Sequence, residues 1–479
     1  MRNLYFSENL PLLTLRVRNR EEQIMAFRSE LSRRSWLASA AAQAVAIGAS
    51  RCNWAHALNQ QLPVANRKRL ILLWMAGGPS QIDSFDMKPG HANGGTFREI
   101  DTAVPGIRIC EHLPKLAKWT EQMAIVRSLQ TKEGDHGRGT YLVRTGQRPG
   151  SPVRYPPLPA SLAKAIGENA ASPQEAEKSL DANSSVPDYV AIQPPSAIEP
   201  TAFGSGFLGP KHQPLLVTGS PSNGLPGMSA QAPRLRVENL LPPERLSAHR
   251  LARRKELWEV LQQSYDVHRR SPASLAHDTV ARRAMSLSES PWRSAFDLDL
   301  EEASVRAAYG EGTFGQGCLM ARRLLEQGVP VVEVAMGSEG LGWDTHAQNF
   351  ELLPRLLGEL DNAWSQLMTD LDQRGLLQDT TILWIGEFGR TPIINPAAGR
   401  DHFPDAWSCV LAGGNIAGGQ VFGKTSDDGQ QVVEDPVSIG QVLATVAASC
   451  GIDPKLENVS EEGRPIAIVD GQPIEKLLA

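Results

Sequence analysis

A doubly wound α/β fold with a mostly parallel sheet is what this chain predicts. Short continuous apolar runs recur along it, most of them lead into segments carrying Gly, Asp, Glu or His, and amphipathic stretches lie between them. The first run is Arg69–Trp74, which enters Ala76-Gly77-Gly78-Pro79-Ser80 and reads as a buried strand with a turn that a ligand can approach. Further strands are predicted at Met123–Val126, Val331–Val334, Thr380–Ile385 and Ser408–Leu411. The clearest helix carries Leu353, Leu356, Leu357, Leu360, Trp364, Leu367 and Leu371 at spacings of three and four, enough to cover one sheet face. Gly317–Glu326 and Val437–Cys450 read as helices too, the latter stopped by Gly451, and about Pro243 to His268 as a charged surface helix. Ala170–Ser185 is polar and Gly204–Gly227 is dense in Gly and Pro, so both read as loops or an insertion.

Bulk composition narrows the function. The 479 residues are 41% hydrophobic and 21% charged, ordinary globular values. A formal net charge of -5 gives no global basic field, so nucleic acid is not an expected partner. Five scattered cysteines imply no disulfide framework and no zinc-ribbon spacing. At the N-terminus, Ser32-Arg33-Arg34-Ser35-Trp36-Leu37 resembles a twin-arginine signal, and the apolar run Ala38–Ala49 behind it is too short to span a bilayer comfortably. Ala55-His56-Ala57 fits a small-x-small cleavage site. The expectation is an export leader over 1–57, delivered by the twin-arginine machinery, and a mature chain over 58–479 without a transmembrane segment. That mature chain reads as one domain with loop and helical insertions around 150–300.

Two motif matches fail on context. Gly418 to Thr425 satisfies the phosphate-loop expression, but Ser426-Asp427-Asp428-Gly429 follows where a helix is needed. Gly204 to Gly209 fits the dinucleotide fingerprint, but Pro210 and Pro214 deny it a helix.

The chemistry concentrates elsewhere. In Asp344-Thr345-His346, an extended backbone would put the carboxylate and the imidazole on one face, half of a first-row metal shell. Asp401-His402 offers a second pair, and Glu387 follows directly on the Thr380–Ile385 run. His136, in Gly134-Asp135-His136-Gly137-Arg138-Gly139-Thr140, lies just past Met123–Val126, and the residue alone leaves nucleophile, ligand and general acid/base open. Arg138 and Arg390 would give the same sheet edge an anion-attracting character.

With these motifs the chain resembles a known group. Gly77-Gly78-Pro79-Ser80-Gln81-Ile82-Asp83-Ser84-Phe85-Asp86, Gly342-Trp343-Asp344-Thr345-His346, Gly386-Glu387-Phe388-Gly389-Arg390-Thr391-Pro392, Gly399-Arg400-Asp401-His402 and Gly463-Arg464-Pro465-Ile466 resemble domain-of-unknown-function family 1501, a bacterial sulfatase-like group of the alkaline-phosphatase superfamily. The resemblance implies a three-layer α/β/α sandwich, divalent cations and hydrolysis of sulfate or phosphate esters. It makes Asp344, His346 and His402 ligands of one metal, places Glu387 where a second site's Asp-His pair begins, and puts Phe388 in place of that pair's histidine. It also places His136 where sulfatases carry the residue that becomes formylglycine, which this chain cannot form. A glycine turn stands where the first-strand aspartate is usual, with Asp83 or Asp86 as possible substitutes.

The resulting expectation is an exported hydrolase using zinc, calcium or manganese on an anionic small-molecule or polysaccharide ester. Asp344, His346, His402, Glu387 and Asp401 form its metal region, with His136, Arg138 and Arg390 as catalytic candidates. The alternative is a non-catalytic exported ligand-binding protein on the same scaffold.

Overall fold

The computed structural model describes residues 67–170, 186–219, 233–240, 246–269, 271–337 and 342–479. The leader over 1–57 and most of the polar stretch Ala170–Ser185 lie outside these residues.

Nine strands form the main sheet: β1 (Arg69–Met75), β2 (Met123–Leu129), β3 (Tyr189–Ile192), β4 (Leu215–Gly219), β5 (Leu235–Arg236), β6 (Val331–Met336), β7 (Thr380–Ile385), β8 (Trp407–Gly413) and β9 (Gln420–Phe422). Their spatial order is β9-β2-β8-β7-β1-β6-β3-β4-β5. Every residue of β1, β6, β7 and β8 is buried, which is why these strands read as unbroken apolar runs rather than alternating ones. β1 pairs in parallel with β6 and β7, and β3 continues the parallel set from β6.

Ser408–Leu411 belongs to a strand that departs from the parallel pattern. β8 runs antiparallel to both neighbours, Val410 lying opposite Trp384 of β7 and Ile125 of β2. Its amino end therefore meets the carboxyl ends of the parallel strands. That reversal delivers the residues before Trp407 to the edge where a parallel sheet places its ligands.

The helices are α1 (His136–Thr145), α2 (Leu158–Ala170), α3 (Ala248–Arg269), α4 (Pro272–Glu289), α5 (Ala303–Tyr309), α6 (Thr313–Glu326), α7 (Asn349–Gln373) and α8 (Ile439–Ser449). They lie on both sheet faces. Ile71, Leu73 and Met75 of β1 join one core cluster with residues of α6 and α7, while Leu70, Leu72 and Trp74 join another with residues of α1, α2 and α8. Alternate residues of a single strand thus feed two cores, which is the three-layer α/β/α arrangement. Leu353, Leu357, Leu360, Trp364, Leu367 and Leu371 of α7 are each at most 1% exposed, and burying each contributes about 1.5–3 kcal/mol. α8 starts at Ser438, whose side chain forms a capping box with Gln441, and ends before Gly451 at φ 71°.

The stretch around 150–300 does more than carry insertions, because β3, β4 and β5 are strands of the sheet itself. The predicted surface helix is α3, followed by a second helix, α4. Four cysteines, Cys110, Cys318, Cys409 and Cys450, are buried and free. Around the phosphate-loop match, a Cβ at Gly418 would lie 2.2 Å from the Glu121 carbonyl oxygen and one at Gly423 would overlap Ser128, so these glycines serve close packing, and the segment after them continues as short strands rather than the helix a phosphate loop requires.

Candidate metal centre

Four connections at one sheet edge build the site. After β1 the chain turns through Gly77 and Gly78, at φ 112° and 78°. A Cβ on Gly78 would lie 2.7 Å from the Phe388 ring, so only glycine lets this turn pack against the loop after β7. The Gly77 N–H then donates to Glu387 Oε1 at 2.9 Å. After β2, Asp135 caps α1 by accepting from the Arg138 N–H at 3.0 Å, which fixes His136 as the first residue of that helix. Before β8, the two-residue strands Gly389–Arg390 and His402–Phe403 pair antiparallel, with Arg390 opposite His402.

The fourth connection differs from the period-two expectation. Asp344-Thr345-His346 is not a strand: Thr345 N–H donates to the Trp343 carbonyl and His346 N–H to the Asp344 carbonyl, at 3.0 and 3.1 Å, so the segment is a succession of tight turns. The two side chains still converge, with His346 Nε2 3.1 Å from Asp344 Oδ1.

Three imidazoles are held alike. His136 Nδ1 is 2.7 Å from Glu387 Oε1, His346 Nδ1 is 2.7 Å from Asp401 Oδ1, and His402 Nδ1 is 2.7 Å from the Gly134 carbonyl oxygen. Carboxylate and carbonyl oxygens only accept, which assigns a hydrogen to each Nδ1 and leaves each Nε2 as the ring atom that could ligate a cation. Every Nε2 is directed at one carboxylate: His346 and His402 reach Asp344 Oδ1 at 3.1 Å each, and His136 lies 3.4 Å from Asp344 Oδ2. His346 Nε2 and His402 Nε2 are 3.0 Å apart. Donors bound to a tetrahedral zinc ion at 2.0–2.1 Å stand about 3.3 Å from one another, close to these separations.

The donor chemistry fits a cation on a further observation. His136 Nε2 is buried and has only a long, weak contact, 3.4 Å to Asp344 Oδ2, an unusual state for a polar atom aimed into a cluster of ligating groups. His136, Asp344 and His402 offer ligand atoms all within 4.8 Å of one another. Imidazoles whose second nitrogen is tied to an oxygen acceptor are the usual form of metal-ligating histidine. Side-chain exposure rises from 17% at His136 to 46% at His346, so the cluster opens to solvent on the His346 side.

Electrostatics agree. Burial opposes charge on His136, but hydrogen bonds and attraction to Asp344 and Glu387 outweigh it and raise its pKa to about 9. Burial also works to raise Asp344, yet hydrogen bonds from His136, His402 and Arg390 hold it well below the usual carboxylate range. The hydrogen bond with His346 lowers Asp401.

The remaining predicted residues divide by position. Glu387, 1% exposed, and Asp401 stand behind His136 and His346 as their hydrogen-bond acceptors. Arg390 is fully buried and donates to the Gly77, Gly78 and Arg400 carbonyls and, at 2.5 Å, to Asp344 Oδ1, so it fixes that carboxylate. Arg138 is 56% exposed and forms a two-pronged pair with Glu133. Neither candidate first-strand substitute faces the cluster: Asp83 is bound by Arg400, and Asp86 by Lys88 and Thr425. Phe388 packs its ring 4.4 Å from that of His402 and 5.0 Å from that of His136, an apolar wall beside the two imidazoles. Sequence reasoning missed Gly134, whose contribution is a main-chain carbonyl that no residue type announces.

Residues 67–478 match a family described as "Protein of unknown function (DUF1501)". The chain belongs to that family. Among solved structures, this DUF1501 protein is similar to Ps i-CgsB, with 10% identity, 85% of this chain and 75% of that one covered, and a TM-score of 0.37. It is also similar to the PsFucS1 sulfatase from Pseudoalteromonas sp., at 12% identity, 81% and 68% coverage and a TM-score of 0.34. A third is the phosphonate monoester hydrolase of Agrobacterium radiobacter, at 13% identity, 86% and 77% coverage and a TM-score of 0.32. No curated protein matches the chain significantly.

Proposed function

We propose that this DUF1501 protein is an exported, metal-dependent hydrolase of a sulfate or phosphate ester, working with one divalent cation held by His136, His346, His402 and Asp344. The observation that carries the reading is the convergence of three imidazole Nε2 atoms on Asp344, each ring pinned through Nδ1 to an oxygen acceptor. A shell of three nitrogens and one carboxylate favours zinc over calcium, which takes six to eight oxygen ligands, and over manganese, which prefers oxygen-rich sets. A divalent cation there would polarise an ester oxygen and make a nucleophile of water near neutral pH.

The chain's own groups prepare that chemistry. Glu387, Asp401 and the Gly134 carbonyl set the tautomers and aim the lone pairs. Arg390 fixes Asp344 and contributes a permanent positive charge beside it. The amino end of α1 opens at the same edge and favours negative charge. Arg138, exposed in the first turn of α1, could meet an anionic substrate by giving up Glu133. Export rests on the twin-arginine-like segment Ser32–Leu37 and the apolar run behind it. Among the described residues no helix is long and apolar enough to cross a membrane.

A second reading, a ligand-binding protein without turnover, is favoured by one observation: His136 occupies the nucleophile position of the resemblance, yet its Nε2 is directed at Asp344. Elemental analysis of the folded protein, paired with a screen of sulfate, phosphate and phosphonate esters, tests both. One metal per chain that is lost in His346→Ala with His402→Ala, together with metal-dependent ester cleavage, supports the hydrolase. Stoichiometric metal and ligand binding without turnover supports the binder. Wild-type protein that takes up no metal on reconstitution would end both forms of the metal reading.

A further inference from the structure

Behind the imidazoles lies a second buried cluster. Asp83 and Arg400 are both 0% exposed, and Arg400 grips Asp83 with Nε on Oδ2 at 2.6 Å and Nη2 on Oδ1 at 2.9 Å. Asp83 Oδ2 also accepts from Ser80 Oγ at 2.7 Å and from Asn349 Nδ2 at 2.9 Å. Asn349 Oδ1 in turn accepts from Thr345 Oγ1 at 2.6 Å. The other arm of Arg400 donates to the Thr391 and Pro392 carbonyls, and Nη2 reaches the Asn93 carbonyl at 2.8 Å. Its own N–H donates to the Thr345 carbonyl at 3.0 Å.

The placement of these partners matters more than their number. Thr345 stands between Asp344 and His346, and Arg400 directly precedes Asp401 and His402. The cluster therefore joins, at one residue's remove, the two chain segments that supply Asp344, His346 and His402, which come from opposite sides of β7 in the sequence. A fully buried, bidentate ion pair with every remaining group hydrogen-bonded admits little adjustment.

We propose that Asp83 and Arg400 are positioning residues, a clasp that sets the separation of the Asp344–His346 and Asp401–His402 pairs and so holds the metal geometry ready before any cation arrives. The proposal rests on the metal reading above. It assigns the buried aspartate of the first glycine-rich loop a role behind the ligands rather than among them. It also gives a reason for arginine at 400: lysine cannot span the two Asp83 oxygens together with three carbonyls.

The test uses the full-length protein and zinc and cobalt ions as probes. Zinc affinity, measured by competition with a chromophoric chelator, should fall about 10–100-fold in Asp83→Asn and in Arg400→Lys, the range seen when outer groups of a metal site are lost. The visible spectrum of the cobalt-loaded protein should change in both, and the double variant should be no weaker than the poorer single one. Glu333→Gln, which breaks the buried pair with Arg144 at the opposite end of α1 from His136 without touching the Asp344–His346 or Asp401–His402 segments, should lower stability and leave the cobalt spectrum unchanged. Thr345→Val, nearly isosteric and one bond further out, reads the same linkage should the buried variants not fold, with a several-fold loss of affinity. Folded Asp83→Asn or Thr345→Val with wild-type affinity and spectrum, or an equal change of the cobalt spectrum in Glu333→Gln, would overturn the clasp alone. Wild-type protein that binds neither ion would overturn the metal reading and the clasp with it.

Discussion

His136 ties metal binding to a proton. In the metal-free protein its pKa is raised from 6.5 to about 9, because Asp344 and Glu387 favour the imidazolium more than burial opposes it. Nε2 has to lose that proton before it can ligate. At pH 7, two units below the folded pKa, about 1% of His136 is neutral, so apparent metal affinity should be about 100-fold weaker than above pH 9. Between pH 7 and pH 9 this one group makes the affinity rise about tenfold per pH unit, and above 9 its contribution levels off. The perturbation is therefore pH itself, and the assay is zinc competition with a chelator whose own protonation is known. Calorimetry in buffers of different ionisation enthalpy should show about one proton released from His136 per ion bound at pH 7. Glu387→Gln removes one of the two carboxylates that raise the pKa, so the pH-dependent rise should shift to lower pH while the plateau affinity falls about 10–100-fold. Affinity that stays flat between pH 7 and 9 in the wild type would refute the reasoning, since it would mean that His136 carries no proton to displace.

Four further outcomes are expected. In the metal-free protein the raised His136 pKa contributes stability that is fully present below pH 6.5 and is lost as pH rises towards 9, so its Tm should fall across that window, while zinc-loaded protein, with Nε2 committed, should show a smaller fall. Leu360→Ala, at a fully buried position of α7, should cost about 2–5 kcal/mol in urea unfolding with the slope of the transition unchanged. Gly78→Ala places a Cβ at φ 78° against the Phe388 ring and carbonyl, and should cost about 1–3 kcal/mol and reduce metal content by displacing the loop that carries Glu387. Glu333→Gln strips Arg144 of a partner held at 2.7 Å where both side chains are 0% exposed, and should cost about 3–5 kcal/mol by the same unfolding assay.

The sheet was legible wherever strands are buried on both faces. Arg69–Trp74, Val331–Val334 and Thr380–Ile385 show themselves because nothing on them faces water. β3 and β4 were hidden by their shortness and by polar or glycine-rich surroundings, and α1 by its two glycines, Gly137 and Gly139, in a first turn whose cap, Asp135, invites a loop reading as readily. Direction is a different matter. An apolar run carries no sign of polarity, so nothing in Ser408–Leu411 reveals that β8 runs against its neighbours. In the site, residue type announced Asp344, His346 and His402, but not the division between ligands and the groups behind them. Glu387 and His136 are both plausible ligands on paper, and only the 2.7 Å contact between them ranks the imidazole in front and the carboxylate behind. Arg390 and Arg138 likewise look alike in sequence and differ wholly in burial.

The four groups that face one another at the sheet edge are drawn from residue 136, residues 344 to 346 and residue 402, and β8, which follows the last of them, is flanked in space by β2 and β7. Any contiguous fragment that contains them all must span residues 136 to 402, and bringing them together also needs β1, β2 and β8 from outside that span. Binding of an ion by this set therefore serves as a test of completion: a nascent chain that ends before His402 lacks a donor, and a mispaired sheet would hold the donors apart. Contacts between residues distant in sequence have to close before these donors meet, so occupancy of the centre would report on the integrity of the finished protein as directly as on its chemistry.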